Sequence, residues 1–354
     1  MNFIKETSPH LQRNDSLKRM LLNVLIALAP VFVCSVIAFP IPSLQIYLPA
    51  IATCVLAEFL FVLITKKSAK EFKVENLLSS LITAVLYAMC LPTDMGFGNG
   101  MGYVAVVLGA ATGIVLGKLI FGGIGSNIFN PAALGVITVR GFIKPTMLNA
   151  SSTLDWVNTG ATSIANATPM SNIADANFLD LLLGKTPGSL GEIFRLAILI
   201  GLIYLLITRT VDWRVVVSYA GAFVVLMLAA GIVVSTKIDV NPFQFVLYHV
   251  LSGGFLFGLT FMITDPVTSP VGSSSRYLFG AFGGTIVVFF RLFMGVEGVV
   301  YSILLANVIA CVLDYPQWST ARWKKWHTIA LSAWAVFALA AVILVLCFKE
   351  GAIA

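Results

Sequence analysis

Residues 253–270 read GGFLFGLTFMITDPVTSP. An apolar run of the kind that crosses a bilayer stops at Thr264-Asp265-Pro266, and hydroxyls and a second proline follow. Proline removes a backbone donor and ends or kinks a helix. A carboxylate therefore stands beside freed backbone groups at one end of a membrane span. The same ending occurs earlier. LPTD closes an apolar run at Asp94, and Thr93-Asp94 precedes Thr264-Asp265 by 171 residues. At that offset Gly109, Ala110 and Gly113 match Gly280, Ala281 and Gly284. Each half then passes a basic residue inside an apolar run (Lys118, Arg291), a glycine-rich turn and an asparagine-bearing run (Asn130, Asn307). Small residues recur in any membrane helix, so it is the order of these features that argues for duplication. Five spans per half is an odd number, which inverts the second half across the membrane. Inverted repeats build sites at their interface from broken helices.

Composition sets the solvent. The chain has 354 residues, 58% of them hydrophobic and 11% charged, with mean hydropathy +0.95; a soluble domain carries roughly 25% charged residues. Runs of about 20 apolar residues span a hydrocarbon core ~30 Å thick. Eleven such runs are read, at 20–40, 44–65, 77–93, 101–120, 128–140, 192–208, 215–236, 244–263, 276–294, 297–314 and 327–347. The fifth is short, opens with NPAALG and reads as a half-helix. The eleventh lies outside the repeat, and its basic entry RWKKWH is an inner-face anchor. The expected fold is all-α and polytopic, with about ten to eleven transmembrane helices in two inverted five-helix repeats. Its segments are a cytoplasmic N-terminal stretch 1–19, a first repeat 20–140, an extracytoplasmic loop 141–191, a second repeat 192–314 and a further helix within 315–354.

Positive residues are retained on the cytoplasmic side. With the N-terminus cytoplasmic, inner segments hold fourteen Lys and Arg and outer segments six. No cleavage site of the signal-peptide type follows the charged first 19 residues. The net charge of +6 is spread over short loops and does not point to nucleic acid. All five cysteines fall within apolar runs without a CxxC, as small buried hydrophobes do, and the three histidines are scattered.

Ionisable residues within spans are costly and usually face the protein interior. Glu58, Lys118, Asp265 and Arg291 are such residues, with Asp94 near an outer end. They read either as a proton or cation route or as paired structural charge, and Lys118 and Arg291 also as snorkelling side chains. The broken run favours a functional Asp265. Gly122–Gly135, GGIGSNIFNPAALG, has the same character: glycines for close approach, the amides of Asn127 and Asn130, and Pro131 in the first turn of a helix whose N-terminus attracts a polar group. The sequence holds no nucleophile–base pair, zinc motif or phosphate-binding GxxxxGK[ST], so redox chemistry here belongs to a cofactor.

Three stretches, GGIGSNIFNPAALG, GGFLFGLTFMITDPVTSP and TSPHLQRNDSLKRMLLNVLIALAPV at 7–31, resemble a family. It comprises the D subunit of the Rnf ion-translocating ferredoxin:NAD oxidoreductase and the paralogous B subunit of the sodium-pumping NADH:quinone reductase. The resemblance covers about residues 7–314. The length is nearer the Rnf protein, and the eleventh span departs from the usual ten. The resemblance implies FMN esterified through phosphate to a threonine of an extracytoplasmic loop. It also implies a second, non-covalent flavin, riboflavin or FMN, placed between the repeats near Asn127, Asn130, Pro131, Thr264, Asp265 and Thr268. Two threonines of NTGATSIANATPMSN at 158–172 compete for the covalent flavin: Thr168 in NATPM, the favoured one, and Thr162 in TGAT. The family's usual acidic residue six positions upstream is absent from both. The other reading of this stretch is an unmodified polar loop, and Asn149 and Asn166 also open glycosylation sequons. The implied setting is a bacterial or archaeal cytoplasmic membrane. The implied partners are the other Rnf-type subunits, a flavin transferase and membrane lipid. The alternatives are the quinone reductase's B subunit, with a quinone site, and a flavin-free channel or secondary transporter.

Overall fold

The computed structural model describes residues 17–93, 95, 97–142, 178–183, 188–236, 240–294, 298–315, 318–320 and 323–348, and the regular structure among them is entirely helical. The helices of the first half are α1 (Leu17–Ala38), α2 (Pro40–Lys66), α3 (Val74–Met89), α4 (Met101–Gly117) and α5 (Pro131–Phe142). After the short α6 (Phe178–Leu183) come α7 (Arg195–Ile207), α8 (Trp213–Ser235), α9 (Pro242–Leu251), α10 (Phe255–Met262), α11 (Ser273–Phe289), α12 (Val299–Leu313) and α13 (Lys325–Phe348). Ten of the eleven predicted runs each hold one helix, and the eighth, 244–263, holds two, α9 and α10. Among the described residues six helices are long and apolar enough to cross a membrane, or seven with α9 and α10 counted as one bent span.

Exposed apolar surface identifies the solvent. Ile37 and Ile64 are each 74% exposed, and Val336 and Phe337 on α13 are exposed as well. Apolar exposure along whole helices is what a lipid-facing wall requires and what a water-facing one avoids. The chain is a polytopic all-α membrane protein.

Local chemistry sets the helix ends. Asp212 caps α8 by accepting the Arg214 N–H at 2.8 Å, and Asn241 caps α9 through the Phe243 N–H at 2.9 Å with Pro242 in the first turn. The predicted span 244–263 is not continuous: α9 and α10 meet at a 63° bend over Ser252–Gly254. Gly253 takes φ 64°, a conformation open to glycine and disfavoured by β-carbons, and this breaks the helix where hydropathy gives no sign.

Neighbour relations recur between the halves. In the first, α2 packs on α3 and α4, and α4 on α5; in the second, α8 packs on α9 and α11, and α11 on α12. The halves interlock, α1 against α7 and α5 against α12. Across the first of these seams the Asn23 amide donates to Thr210 Oγ1 at 2.9 Å. The basic residues recur too. Lys118 donates to Ser79 Oγ at 2.9 Å and Arg291 to the Ser252 carbonyl at 3.1 Å, each residue of the second pair lying 173 positions after its counterpart.

The matched glycines serve different neighbours. A Cβ on Gly113 would stand 2.6 Å from the Pro131 carbonyl of α5, whereas one on its match Gly284 would meet the Tyr219 carbonyl of α8. The duplication therefore survives in helix order and not in each helix seam. Gly113→Leu is expected to lower folded abundance severalfold, because backbone on α5 must yield and overpacking costs about 1–3 kcal/mol. Gly221→Ala, with nothing within 4 Å of the new Cβ, should leave abundance unchanged. Quantified membrane immunoblots and thermal unfolding of the purified variants check both.

Candidate functional site

The two interrupted stretches meet. Asn130 caps α5: its Oδ1 accepts the N–H groups of Ala132 at 3.1 Å and Ala133 at 3.2 Å. Its own backbone N–H donates to Asn307 Oδ1 on α12 at 2.9 Å, and its Nδ2 to the Met262 carbonyl at the end of α10 at 3.3 Å. The Asn307 amide in turn donates to the Thr268 carbonyl at 3.4 Å. Carbonyls and N–H groups released by the two breaks are thus satisfied across the repeat interface, which a low-dielectric interior demands. Asn130 and Asn307 are both buried.

Asp265 sits just after α10. One oxygen accepts the Val267 N–H at 3.1 Å and the other the Thr268 hydroxyl at 3.3 Å, and the Asn127 side chain bonds the same carboxylate. Thr264 turns its hydroxyl back onto the Thr260 carbonyl at 2.7 Å. Asp265 therefore fixes the turn locally and ties the 122–135 stretch to the 253–270 stretch.

Beside this knot lies a cavity of about 220 Å³. Asn127, Asn130, Pro131, Thr264 and Asp265 all contribute to its wall, and Lys118 reaches it from the end of α4. The remaining wall is largely apolar, including Ile82 and Leu86 of α3, Leu205 of α7 and Phe261 of α10. Thr268 is buried beside Asp265 outside the lining. Ser79, Thr83, Thr210 and Thr260 also line the cavity. These hydroxyls belong to no motif, and Thr210 lies between two apolar runs rather than in one, so sequence offers no signal for them. A mostly apolar hollow with a few convergent polar groups is the usual form of a small-molecule site. The flat, apolar faces of an isoalloxazine ring fit such walls, and its carbonyl and N–H edge fits the amides and hydroxyls.

The ionisable residues divide. Lys118 pairs with Glu58 at 2.7 Å, both buried, and the other Glu58 oxygen accepts from Asn76 Nδ2 at 3.1 Å. Arg291 is buried elsewhere. It donates to the carbonyls of His249 and Ser252 at the α9–α10 break and lies over the Phe223 ring at 5.3 Å. Neither snorkels, and the two belong to separate clusters. Asp94, Thr162 and Thr168 lie outside the described residues, as does most of the 141–191 loop. Among the described residues no group of three His, Cys, Asp or Glu is placed to hold a metal.

Comparison with known proteins places this architecture. The chain is 38% identical over 245 residues to the B subunit of the Na(+)-translocating NADH-quinone reductase of Chromohalobacter salexigens, an alignment covering 66% of this chain and 57% of that one. It is 35% identical over 245 residues to the same protein of Pseudomonas aeruginosa, covering 66% and 58%. The chain thus spans less than two thirds of the length of these relatives. It is also 28% identical over 327 residues to the D subunit of the proton-translocating ferredoxin:NAD(+) oxidoreductase complex of Clostridium ljungdahlii, covering 88% of this chain and 93% of that one. The family described as "NQR2, RnfD, RnfE family" matches residues 4–320, a stretch holding both broken motifs and the cavity they line, and the chain belongs to this family.

Proposed function

We propose that the protein is a membrane-embedded electron-transfer subunit of an ion-translocating oxidoreductase complex of the Rnf type. In this reading it holds a non-covalent flavin, riboflavin or FMN, in the cavity between the repeats. It carries a second flavin, FMN, on Thr168 or in its place Thr162. The observation that carries the reading is the convergence of Asn127, Asn130, Pro131, Thr264 and Asp265, from two stretches more than a hundred residues apart, on one cavity whose other walls are largely apolar. A bound flavin would accept and pass electrons. The chain's own residues would do the rest: apolar walls exclude water, while Asn127 offers hydrogen bonds to the ring edge. The other Rnf-type subunits would deliver and collect the electrons, and Na+ or H+ would be the coupling ion. The named Rnf relative supports this reading because its alignment extends over 88% of this chain. The higher identity of the quinone-reductase relatives favours a second reading, the B subunit of a complex reducing quinone. Assaying membranes for ferredoxin-dependent NAD reduction against quinone reduction separates the two.

The direct test fills the cavity. Ile82→Trp places an indole where the ring would lie, and the purified complex is expected to lose non-covalent flavin, measured by fluorescence after denaturing extraction, while covalent flavin stays. Unchanged extractable flavin would place it elsewhere. Asp265→Asn is expected to lower coupled activity roughly tenfold while abundance changes little, because the carboxylate ties the cavity-lining turn to Asn127. A parallel fall in activity and abundance would make Asp265 a fold residue alone.

The loop 141–191 is proposed to face the extracytoplasmic side, on the fourteen-to-six distribution of positive residues. Ser171→Cys, with cysteines at several nearby positions to control for shielding by a partner, should react with an impermeant thiol reagent added to intact cells. Labelling only after lysis would reverse the topology.

A further inference from the structure

A separate hollow of about 250 Å³ lies between α8, α11 and α13. These three helices run side by side from a common end. Asp212, the cap of α8, pairs with Arg276 on the first turn of α11. The Trp213 and Tyr277 rings meet edge-on at 6.0 Å, and Tyr277 meets Trp323, just before α13, at 5.6 Å. Helix α13 lies beyond the residues that the family match covers. The wall of the hollow is built from small side chains: Gly221 and Ala222 on α8, Ala281 on α11, Ala335 and Ala338 on α13. In membrane proteins such residues usually let helices touch. Here they leave room instead, since a Cβ added to Gly221 would meet nothing within 4 Å. Trp334 is the spacer. Its indole N–H donates to Thr285 Oγ1 at 3.1 Å and its ring lies 5.1 Å from that of Phe282, which props α13 away from α11.

We propose that this hollow holds an acyl chain of a membrane phospholipid. Packed interiors leave few voids larger than a water molecule, and the lining of an unfilled void loses its contacts. Water does not suit this one, because a water needs several polar partners. The hydroxyls of Ser218 and Thr285 on the wall are engaged. Ser218 donates to the Arg214 carbonyl at 2.8 Å, and Thr285 donates to the Ala281 carbonyl at 2.8 Å while accepting from Trp334. A flavin or quinone ring, edged with carbonyls, would find a further donor on this wall only at Tyr277, at one end. A hydrocarbon chain needs none. The shape agrees. The wall follows α8 from Ser218 to Leu226 and α13 from Leu331 to Leu339, about 12 Å of helix rise, so the hollow is long and lies along the helix axes as lipid chains do. Gly221, Val225 and Ala335 are exposed, which opens it to the lipid-facing surface. At the end where the helices begin, Trp213 and Trp323 are exposed beside Tyr277, with Lys324 and Lys325 at the surface. Aromatic and basic residues of this kind mark headgroup level. The lipid head lies at that belt, and its chain joins α13 to the second repeat. The site is independent of the flavin reading.

The test uses the full-length protein, purified with repeated detergent exchange and read by native mass spectrometry for chains that still carry a phospholipid. The unmutated protein and Gly221→Ala are expected to keep it. Gly221→Phe fills the hollow from α8 and Ala335→Phe fills it from α13, and each should lower the retained fraction about tenfold. A second measurement needs neither filled variant. Phosphatidylcholine brominated midway along its chains, added to the protein freed of lipid, should quench tryptophan fluorescence. Trp334→Phe should remove most of that quenching, because the other described tryptophans gather at the end where the helices begin. Four results would each overturn the proposal: an unmutated protein that keeps no phospholipid, equal retention in filled variants that fold, quenching that Trp334→Phe leaves intact, and recovery of a prenyl quinone in place of the phospholipid.

Discussion

Thr168→Ala is expected to abolish the covalent flavin band proposed for this protein, to be seen as in-gel fluorescence that survives denaturation, and to stop electron flow through the chain. The variant should still accumulate in the membrane. A phosphoester tether needs a hydroxyl, and the sequence sets the small Ala167 beside it. A methyl and hydroxyl in a polar loop contribute little to the packing of membrane helices. Thr162→Ala, in the neighbouring TGAT, is expected to keep the band. The reverse pattern would move the attachment to Thr162. No band in the unmutated protein, expressed together with a flavin transferase, would end the proposal of a covalent flavin and leave the cavity to be tested alone.

The second large effect concerns Lys118 and Glu58, which bury a 2.7 Å ion pair between α4 and α2. Removing one partner leaves a full charge in a low-dielectric interior, at a cost of about 3–5 kcal/mol. Lys118→Met and Glu58→Gln are each expected to lower the unfolding midpoint of the purified protein sharply. The double variant should recover most of the loss, since it buries no uncompensated charge. Additive losses in the double variant would mean that the two residues act separately. Transport measured on the double variant separates the remaining readings. A stable protein that still couples electron transfer to ion movement makes the pair structural, and one that no longer does so puts it on the ion route.

Much of this molecule was legible because hydropathy and helix breakers are local signals. All eleven apolar runs are helical, one of them as two helices, and the half-helix expected from NPAALG is the 12-residue α5. Pro131 announced its start, having no N–H to satisfy, and the structure adds Asn130 as the cap whose amide oxygen accepts the first N–H groups. The bend at Ser252–Gly254 was not legible, because a positive φ at one glycine leaves the hydropathy of 244–263 unchanged. The Glu58–Lys118 pair was open for the same kind of reason. Each residue reads as a costly charge in a span, and nothing in a linear string brings positions 58 and 118 to 2.7 Å.

The sequence by itself determined the solvent, the helices and the two broken motifs, because apolar length, proline and glycine act within a few residues of chain. Only the tertiary structure decided what those motifs do together. Asn130 reaches Asn307 and Met262, and Asn127 reaches Asp265, across more than a hundred residues of chain. Those contacts form because each break frees backbone polar groups that the membrane interior cannot hydrate, and the other half of the chain supplies the partners. The cavity stands at that seam, its outline set by the helices that meet there, and no spacing in the sequence encodes it.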